Sequence, residues 1–415
     1  MKKYITLLIL ICFTTFQVKA ENYEKAQDSI KFDFSLDMKQ LKKDIQKMQK
    51  DIKSKDLADL NSLIDSDQLK AMKEDLKKNL GDMKNNLRND LNISVFNNNS
   101  QQDRNPTRTE KRTFSNVSEI EFFHSYGNII VKETNSNQID LEIQYFDTKN
   151  QQAVCNTKIT NKLLTISTAS SGRNNTRAKI NYIVSIPKNT TLNIDLKYGS
   201  AKLDRFSGLF NGDLAYSNLS AEAFTSNAIP IKMKYSELKI EEAKNINLNA
   251  SYSDIRIRKA NSIEVEGNYN DYNLGDIQSL TTTKSSAYGD IRIKSVGTMN
   301  ANIKYIDVSI DNLINDLDIT TAYGDISIRD ASTKLKNIKV KASYADVKIT
   351  LPQDLSASFE TDLSYGDMSI SKQYKVSYTE QLDKNNKVRK KGKIGSKSPT
   401  ATIYVTNSYA DFKIR

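Results

Sequence analysis

The fold is decided by the stretch Ala322-Tyr323-Gly324-Asp325-Ile326-Ser327-Ile328, because variants of it recur along the chain. A tyrosine, a small residue and an acidic or amide residue return at steps of 17 to 21, by subtraction of residue numbers. A fixed period of this length is typical of proteins in which each repeat stacks on the next. The tyrosines are Tyr198, Tyr216, Tyr235, Tyr252, Tyr269, Tyr288, Tyr305, Tyr323, Tyr344 and Tyr365, with outlying copies at Tyr126 and Tyr409.

Two strands and a corner are predicted in each unit. Before the tyrosine every second residue faces one side, as at Leu317, Ile319 and Thr321, which is the alternation of a β-strand. After the tyrosine the apolar positions are the third and the fifth, as at Ile326 and Ile328, so the alternation slips by one residue. We therefore predict a corner at the two residues after the tyrosine. The first of these two residues is small in most copies, which suits a positive φ. The second is in most copies a residue whose side chain can form a hydrogen bond with the backbone of a turn.

Stacked units would bury their apolar sides against one another, whereas a single unit could not. The pattern predicts a mainly β fold, a right-handed β-solenoid with coils of about 18 residues. The tyrosines would stack in a column along an inner corner. Ten layers at ~4.8 Å would extend over ~48 Å. One coil departs from the pattern, since Thr282, Lys284 and Ser286 occupy inward positions; we favour a β-bulge there over a functional irregularity.

Four segments are predicted along the chain. Residues 1–20 have the basic start, short apolar run and small final residues of a cleaved signal peptide, so we expect a periplasmic, outer-surface or secreted protein. In 21–95 the apolar spacing becomes helical, which predicts a helical hairpin or a coiled coil. The segment 34–92 would either self-associate or dock on a partner, or it would pack within the chain as a hairpin or as a helix on the end of the solenoid. A polar linker over 96–112 and the β-solenoid over 113–415 follow.

The repeat lapses between Tyr126 and Tyr198. Alternating segments over 139–146, 163–168 and 180–186 predict paired strands that cap or flank the stack. Such a cap is needed because an open sheet edge invites aggregation.

Few residues could carry catalysis. The single histidine, His124, holds an inward position and is expected in the core or in an end cap. Cys155 is expected to be a buried or idle thiol without an internal disulfide. Acidic residues after the corners, from Asp254 to Asp367, would form a ladder of like charges. We favour turn hydrogen bonds and local cation pairing over bound calcium. We assign no catalytic residue, cofactor or metal site, and carboxylate chemistry on a polysaccharide is the enzymatic alternative.

The formal net charge is +11, from 61 Lys and Arg against 50 Asp and Glu. The densest basic segment is predicted to be a loop between a strand near 374–378 and a last strand over 401–405. An anionic glycan or envelope surface is the partner that this charge favours, and general solubility is the alternative. Nucleic acid is not expected, because of the export signal and the lack of an interleaved aromatic and basic motif. The candidate anion-binding residues are Lys387, Arg389, Lys390, Lys391 and Lys393.

The chain resembles the bacterial "putative adhesin" β-solenoid domains over roughly residues 113–415. The resemblance is carried by the Tyr-Gly-Asp-Ile-x-Ile coils at Tyr288 and Tyr323, by the strand from Ile180 into Pro187, and by the signal peptide. It implies an exported, envelope-associated adhesin-like or scaffold protein, and it supplies no catalytic residue. The residues leave a polysaccharide-degrading enzyme and an oligomeric structural protein as alternatives.

Overall fold

The structure is a computed structural model that describes residues 105–148, 152–171, 179–284 and 286–415. These residues are mainly β, and none of them lies in a helix that could cross a membrane. The predicted signal peptide and helical segment lie outside the described residues. The first strand begins at Arg108, inside the stretch 96–112 that we interpret as a linker. It is an edge strand with charged, exposed side chains, so its composition resembles that of a linker.

Twenty-two strands in the described part of the chain form one continuous hydrogen-bonded sheet that bends at the corners. The strands before the regular repeat are β1 (Arg108–Ser115), β2 (Glu119–Thr134), β3 (Gln138–Phe146), β4 (Gln152–Thr160), β5 (Leu163–Ser171) and β6 (Lys179–Pro187). The strands of the repeat are β7 (Thr191–Phe206), β8 (Phe210–Ala215), β9 (Asn218–Phe224), β10 (Ile229–Lys234), β11 (Glu237–Ser251), β12 (Asp254–Thr282), β13 (Ser286–Ala322), β14 (Ile326–Ala331), β15 (Asn337–Ser343) and β16 (Val347–Ile349). The last strands are β17 (Ala357–Ser364), β18 (Met368–Ile370), β19 (Val376–Lys384), β20 (Lys387–Ile394), β21 (Ala401–Ser408) and β22 (Phe412–Ile414).

Consecutive repeats lie on one another in parallel register. Leu238 of β11 lies opposite Leu219 of β9 on one side and Ile255 of β12 on the other. The same inward position is therefore filled by an apolar residue in each layer, and these residues are buried. The stacking of units predicted from the period is confirmed. Its core is a single cluster of aliphatic side chains that continues from layer to layer.

The corner is not where the sequence pattern places it. We predict the bend at the two residues after the tyrosine, but the tyrosine itself has the left-handed conformation, as at Tyr252 with φ 55°. The residue before this bend that faces the core is Ala250, and the next is Ser253; both are fully buried. Tyr252 therefore turns out of the core, and the prediction that the tyrosines lie on the inner side is wrong. The alternation cannot reveal this, because a slip at either position leaves Ile255 facing inward.

In the irregular coil before Tyr288, β12 ends at Thr282 and β13 begins at Ser286, so the strand is interrupted there and the β-bulge stays a prediction. Leu280 of β12 lies opposite Met299 of β13 and is buried, so it fills the inward position that the simple pattern gives to a polar residue. Lys284 is exposed and pairs with Glu266 at 2.6 Å. Thr283 and Lys284 are thus exposed, whereas Ser286 is buried at the inward position that the pattern assigns to it.

The segment between Tyr126 and Tyr198 forms the flanking strands that the alternation predicts. β3 runs antiparallel to β1 and β6, while β6 runs parallel to β2. β4 and β5 form an antiparallel pair, and β5 continues the sheet alongside the first part of β2. Antiparallel strands thus extend both sides of the corner beyond β2.

At the other end of the stack the strands do not follow chain order. β21 lies between β15 and β17, and β22 lies between β16 and β18. The chain reaches these places through the antiparallel hairpin β19–β20, whose turn residues Asn385 and Asn386 both have positive φ, as a two-residue hairpin turn requires. The prediction that the basic segment is a loop is therefore wrong: it forms strand β20. The inward residues Val388 and Ile394 are separated by several lysines, which hides the alternation.

Candidate functional site

Twelve tyrosines of the described residues form one column of stacked rings. Neighbouring ring centroids are 4.6 to 5.1 Å apart, and the planes differ by 1° to 16°. The column confirms that the tyrosines of successive layers pile on one another. In order they are Tyr126, Tyr198, Tyr216, Tyr235, Tyr252, Tyr269, Tyr288, Tyr305, Tyr323, Tyr344, Tyr409 and Tyr365.

Every tyrosine of this column has φ between 51° and 64°. A left-handed conformation costs an L-residue about 1–2 kcal/mol and is unusual for a bulky side chain. Stacking on two neighbours offsets this cost, because each aromatic contact contributes ~0.5–1.5 kcal/mol beyond its buried area. The rings are half-buried in the middle of the column, where burial raises the pKa of Tyr269 to about 12. Tyr365, the last ring, is 57% exposed.

In the layers of Tyr216, Tyr235, Tyr252 and Tyr269, the residue after the tyrosine joins the corners of adjacent layers. The Ser217 amide donates to Ser236 Oγ at 3.1 Å, and the Ser236 amide donates to Ser253 Oγ at 3.2 Å. The Ser253 amide donates to Asn270 Oδ1 at 3.0 Å. These side chains are buried, so the small polar residue provides an acceptor for an amide that would otherwise lack one.

The acidic position forms a second ladder beside the first. The Asp325 amide donates to Asp307 Oδ1 at 3.0 Å, and the Asp346 amide donates to Asp325 Oδ1 at 3.0 Å. Asp346 also pairs with Lys348, two residues further along, at 3.4 Å. Local cation pairing is as the sequence indicates, but these carboxylates accept hydrogen bonds from the amide of the next layer rather than from their own turn. No group of three or more His, Cys, Asp or Glu within the described ranges could hold a metal ion.

The five basic residues singled out in the sequence all lie on β20. Lys387, Arg389, Lys391 and Lys393 alternate along the strand on the outward side. Lys390 points the other way, and its ammonium donates to the backbone oxygen of Met368 at 3.3 Å. One of the five thus covers a backbone acceptor of the short edge strand β18.

Two of the remaining four are paired with acids on the neighbouring strand β17. Arg389 contacts Asp362 at 2.7 Å, and Lys391 contacts Glu360 at 3.2 Å. Lys387 and Lys393 form no ion pair with another described residue within 4.0 Å. The strand therefore presents a smaller net positive charge than its sequence suggests, concentrated at its two ends.

An outward groove of about 460 Å³ crosses five layers of the stack. Part of its lining comes from strand β21, which lies beside β15, so that Tyr404 is opposite Lys339. On the other side of β15, Lys339 lies opposite Asp318 and pairs with it at 2.9 Å. We call this the outer groove; its outward side chains are Thr281, Thr298, Asn300, Asp316, Asp318, Asn337, Lys339, Thr402 and Tyr404.

Sequence reasoning missed the outer groove because residues far apart in the chain line it together, and the strand order that joins them is not the chain order. The alternation does place Asp318, Lys339 and Tyr404 on the outward side of their strands. That alternation could have identified an outward polar face on each strand, but not which strands lie side by side.

His124 and Cys155 are buried, as expected. His124 Nδ1 lies 2.7 Å from Thr168 Oγ1, which lies 2.8 Å from the Tyr182 hydroxyl. Burial lowers the pKa of His124 to about 3, so its ring is neutral. Burial also raises the pKa of the Cys155 thiol, which keeps it protonated. Both therefore serve the packing of the flanking strands.

The sequence matches the Toastrack DUF4097 family over residues 117–415, and the chain belongs to this family. The match begins two residues before β2 and includes the tyrosine column, the outer groove and β20. No curated protein matches the chain.

Solved structures named as "putative adhesins" share limited similarity with this chain. A "putative adhesin" from Parabacteroides merdae is 16% identical, with a TM-score of 0.28, over 58% of this chain and 94% of its own. One from Parabacteroides distasonis is 8% identical, with a TM-score of 0.25, over 74% and 96%. One from Bacteroides fragilis is 10% identical, with a TM-score of 0.18, over 74% and 98%.

Proposed function

We propose that this protein is an exported, envelope-associated adhesin-like or scaffold protein that binds a surface or polymer through its stacked repeats. The observation that carries the proposal is the parallel register, which repeats the same outward positions from layer to layer. Successive layers of such a stack can contact successive units of an extended ligand. Export rests on the signal-peptide pattern of residues 1–20.

The finer architecture is part of the same proposal. Parallel strands that return to the next layer every 17 to 21 residues support winding as a β-solenoid, and the right-handed sense is the one that strand twist favours for parallel crossovers. The segment 34–92 would add self-association, which would multiply weak contacts with a surface.

The anionic partner is proposed to contact β20 through Lys387 and Lys393. Arg389 and Lys391 already face Asp362 and Glu360, so adding an anion there would mean competing with an existing pair. A cation near an anionic surface contributes about 1 kcal/mol. Two such residues should therefore change affinity about 30-fold.

Binding of the full chain to immobilised alginate, a polyanionic polysaccharide, tests this proposal in a salt titration. We expect saturable binding that weakens as salt rises and falls about 30-fold in Lys387→Gln/Lys393→Gln. The matched control is Lys188→Gln/Lys202→Gln, which removes two exposed lysines near the other end of the repeat. Salt-independent binding, or equal loss in both double variants, would reject β20 as the anionic contact.

A further inference from the structure

We propose that the outer groove binds an uncharged glycan, with Tyr404 as the platform for a sugar ring. This inference deepens the proposed function, on which it rests, by naming a site and a ligand class. The site is separate from the basic residues of β20.

Tyr404 supplies the apolar contact. It points outward from β21, is partly exposed, and lies between Lys339 of β15 and Glu360 of β17. The ten inner tyrosines of the column have both ring faces covered by neighbours, and Tyr126 and Tyr365 at its ends have one face covered. Tyr404 makes no ring stack with another described residue. An aromatic face can pack on the C–H side of a pyranose ring while the hydroxyls of the sugar remain at the edge.

The polar groups beside Tyr404 suit hydroxyls. Asn337 Nδ2 donates to Asp316 Oδ1 at 2.8 Å, and Lys339 Nζ donates to Asp318 Oδ2 at 2.9 Å. Each carboxylate has further acceptor capacity, and the amide and ammonium have further donors. Because neighbouring layers already hold these side chains in place, little rotamer freedom would be lost on binding.

Charge selects among possible ligands. The groove is lined by two carboxylates against one ammonium, a net charge of −1. A polyanion would be repelled here, and the single excess charge is too small to hold a basic peptide strongly. A neutral, hydroxyl-rich chain meets no such penalty.

The groove also has the length for a polymer. It crosses five layers, and four spacings of ~4.8 Å give about 19 Å along the stack. Several sugar rings fit along this distance, so an oligosaccharide rather than a single sugar is the matching ligand.

The test is calorimetric titration of the full chain with cello-, laminari-, malto-, manno- and N-acetylchito-hexaose at millimolar concentration, in low and high salt. We expect at least one hexaose to bind with an affinity that salt does not change. Tyr404→Ala should lower that affinity about tenfold or more, whereas Tyr404→Phe, which keeps the ring, should lower it by less than about threefold. Asp318→Asn, of the same shape, should lower it severalfold because one charged acceptor is lost.

Tyr378→Ala removes an exposed tyrosine on β19 and should leave hexaose binding unchanged. Absence of binding to every hexaose, or equal affinity in Tyr404→Ala and the wild type, would overturn the groove proposal. A basic peptide bound in a salt-sensitive manner by Asp316 and Asp318 would overturn it too. Alginate binding that depends on Lys387 and Lys393 would still hold in those cases, so the two proposals fail separately.

Discussion

At the scale of single residues, the unusual choice is a tyrosine in a left-handed corner. Glycine or asparagine is the ordinary solution for a positive φ, but neither could build a stacked column. The corner therefore exchanges backbone strain for ring contacts between layers. The small residue after the tyrosine acts through a hydrogen bond instead. Ser253 is fully buried, and its hydroxyl accepts from the Ser236 amide of the preceding layer.

The balance between strain and stacking predicts an unusual order of stabilities at Tyr252. Its ring lies 4.8 Å from Tyr235 and 4.6 Å from Tyr269. Tyr252→Ala should lose about 1–3 kcal/mol of unfolding free energy, because two stacks disappear and the strain remains. Tyr252→Gly should be about 1 kcal/mol more stable than Tyr252→Ala, because glycine adopts this φ without strain. Denaturant unfolding measures both values.

The control for this order is Asn249, an exposed residue within β11. There Asn249→Gly should be less stable than Asn249→Ala by about 0.5–1 kcal/mol, the normal order inside a strand. If alanine were also better than glycine at position 252, the left-handed corner would not be the source of strain.

The column also predicts loss of stability in alkali. Burial raises the pKa of Tyr269 to about 12, and the pKa values of Tyr252 and Tyr288 are raised for the same reason. Tyrosines of the unfolded chain ionise near pH 10. Between these values the folded state binds more protons than the unfolded state, so the free energy of unfolding falls as pH rises from about 10 to about 12.

Denaturant unfolding at several pH values, with phenolate absorbance recorded in parallel, measures this effect. Below about pH 9 the tyrosines should contribute no slope. Tyr269→Phe should make the decline less steep, because one titrating group is gone. Column tyrosines that ionise near pH 10 without loss of stability would contradict the assigned cause.

At the scale of elements, the sequence identifies what repeats and not where each copy is placed. The period predicts the stacked units, and the alternation predicts β3, β5, β6 and β21. The place of β21 is not encoded by any local pattern, because each repeat offers nearly equivalent partners. The position of the corner is ambiguous for a related reason. The apolar pattern determines which residues face inward, but not which residue adopts the positive φ that makes the bend.

The inserted strand β22 predicts a large effect from one side chain. Phe412 is fully buried and lies opposite Val347 of β16 and Met368 of β18. Phe412→Ala should lower the free energy of unfolding by about 3–5 kcal/mol, because a cavity opens between two layers. Phe123→Ala, at a residue 44% exposed, should cost less than about 1 kcal/mol.

Denaturant unfolding of both phenylalanine variants checks the insertion. Similar small losses in the two proteins would mean that β22 is not packed between β16 and β18 in solution. A larger loss in Phe123→Ala would contradict the burial on which the comparison depends.

At the scale of the described molecule, the two proposed binding regions arise differently: one from neighbouring residues in the sequence, the other from the arrangement of strands. The basic residues of β20 are close together in the chain, so their composition alone identifies them as a candidate site. The outer groove joins β12, β13, β15 and β21, and Tyr404 and Thr402 reach it because β21 lies beside β15 rather than in chain order. Its outward side chains could be predicted from alternation, but their meeting could not.

The out-of-order strands also bear on how the protein withstands force. A strand at the edge of a stack can separate one hydrogen bond at a time. In contrast, β21 and β22 each pair with a parallel strand on both sides. Tension reaching Ile414 must shear two rows of hydrogen bonds together before the strand can slip. An attachment made through this part of the chain would therefore resist unfolding under tension.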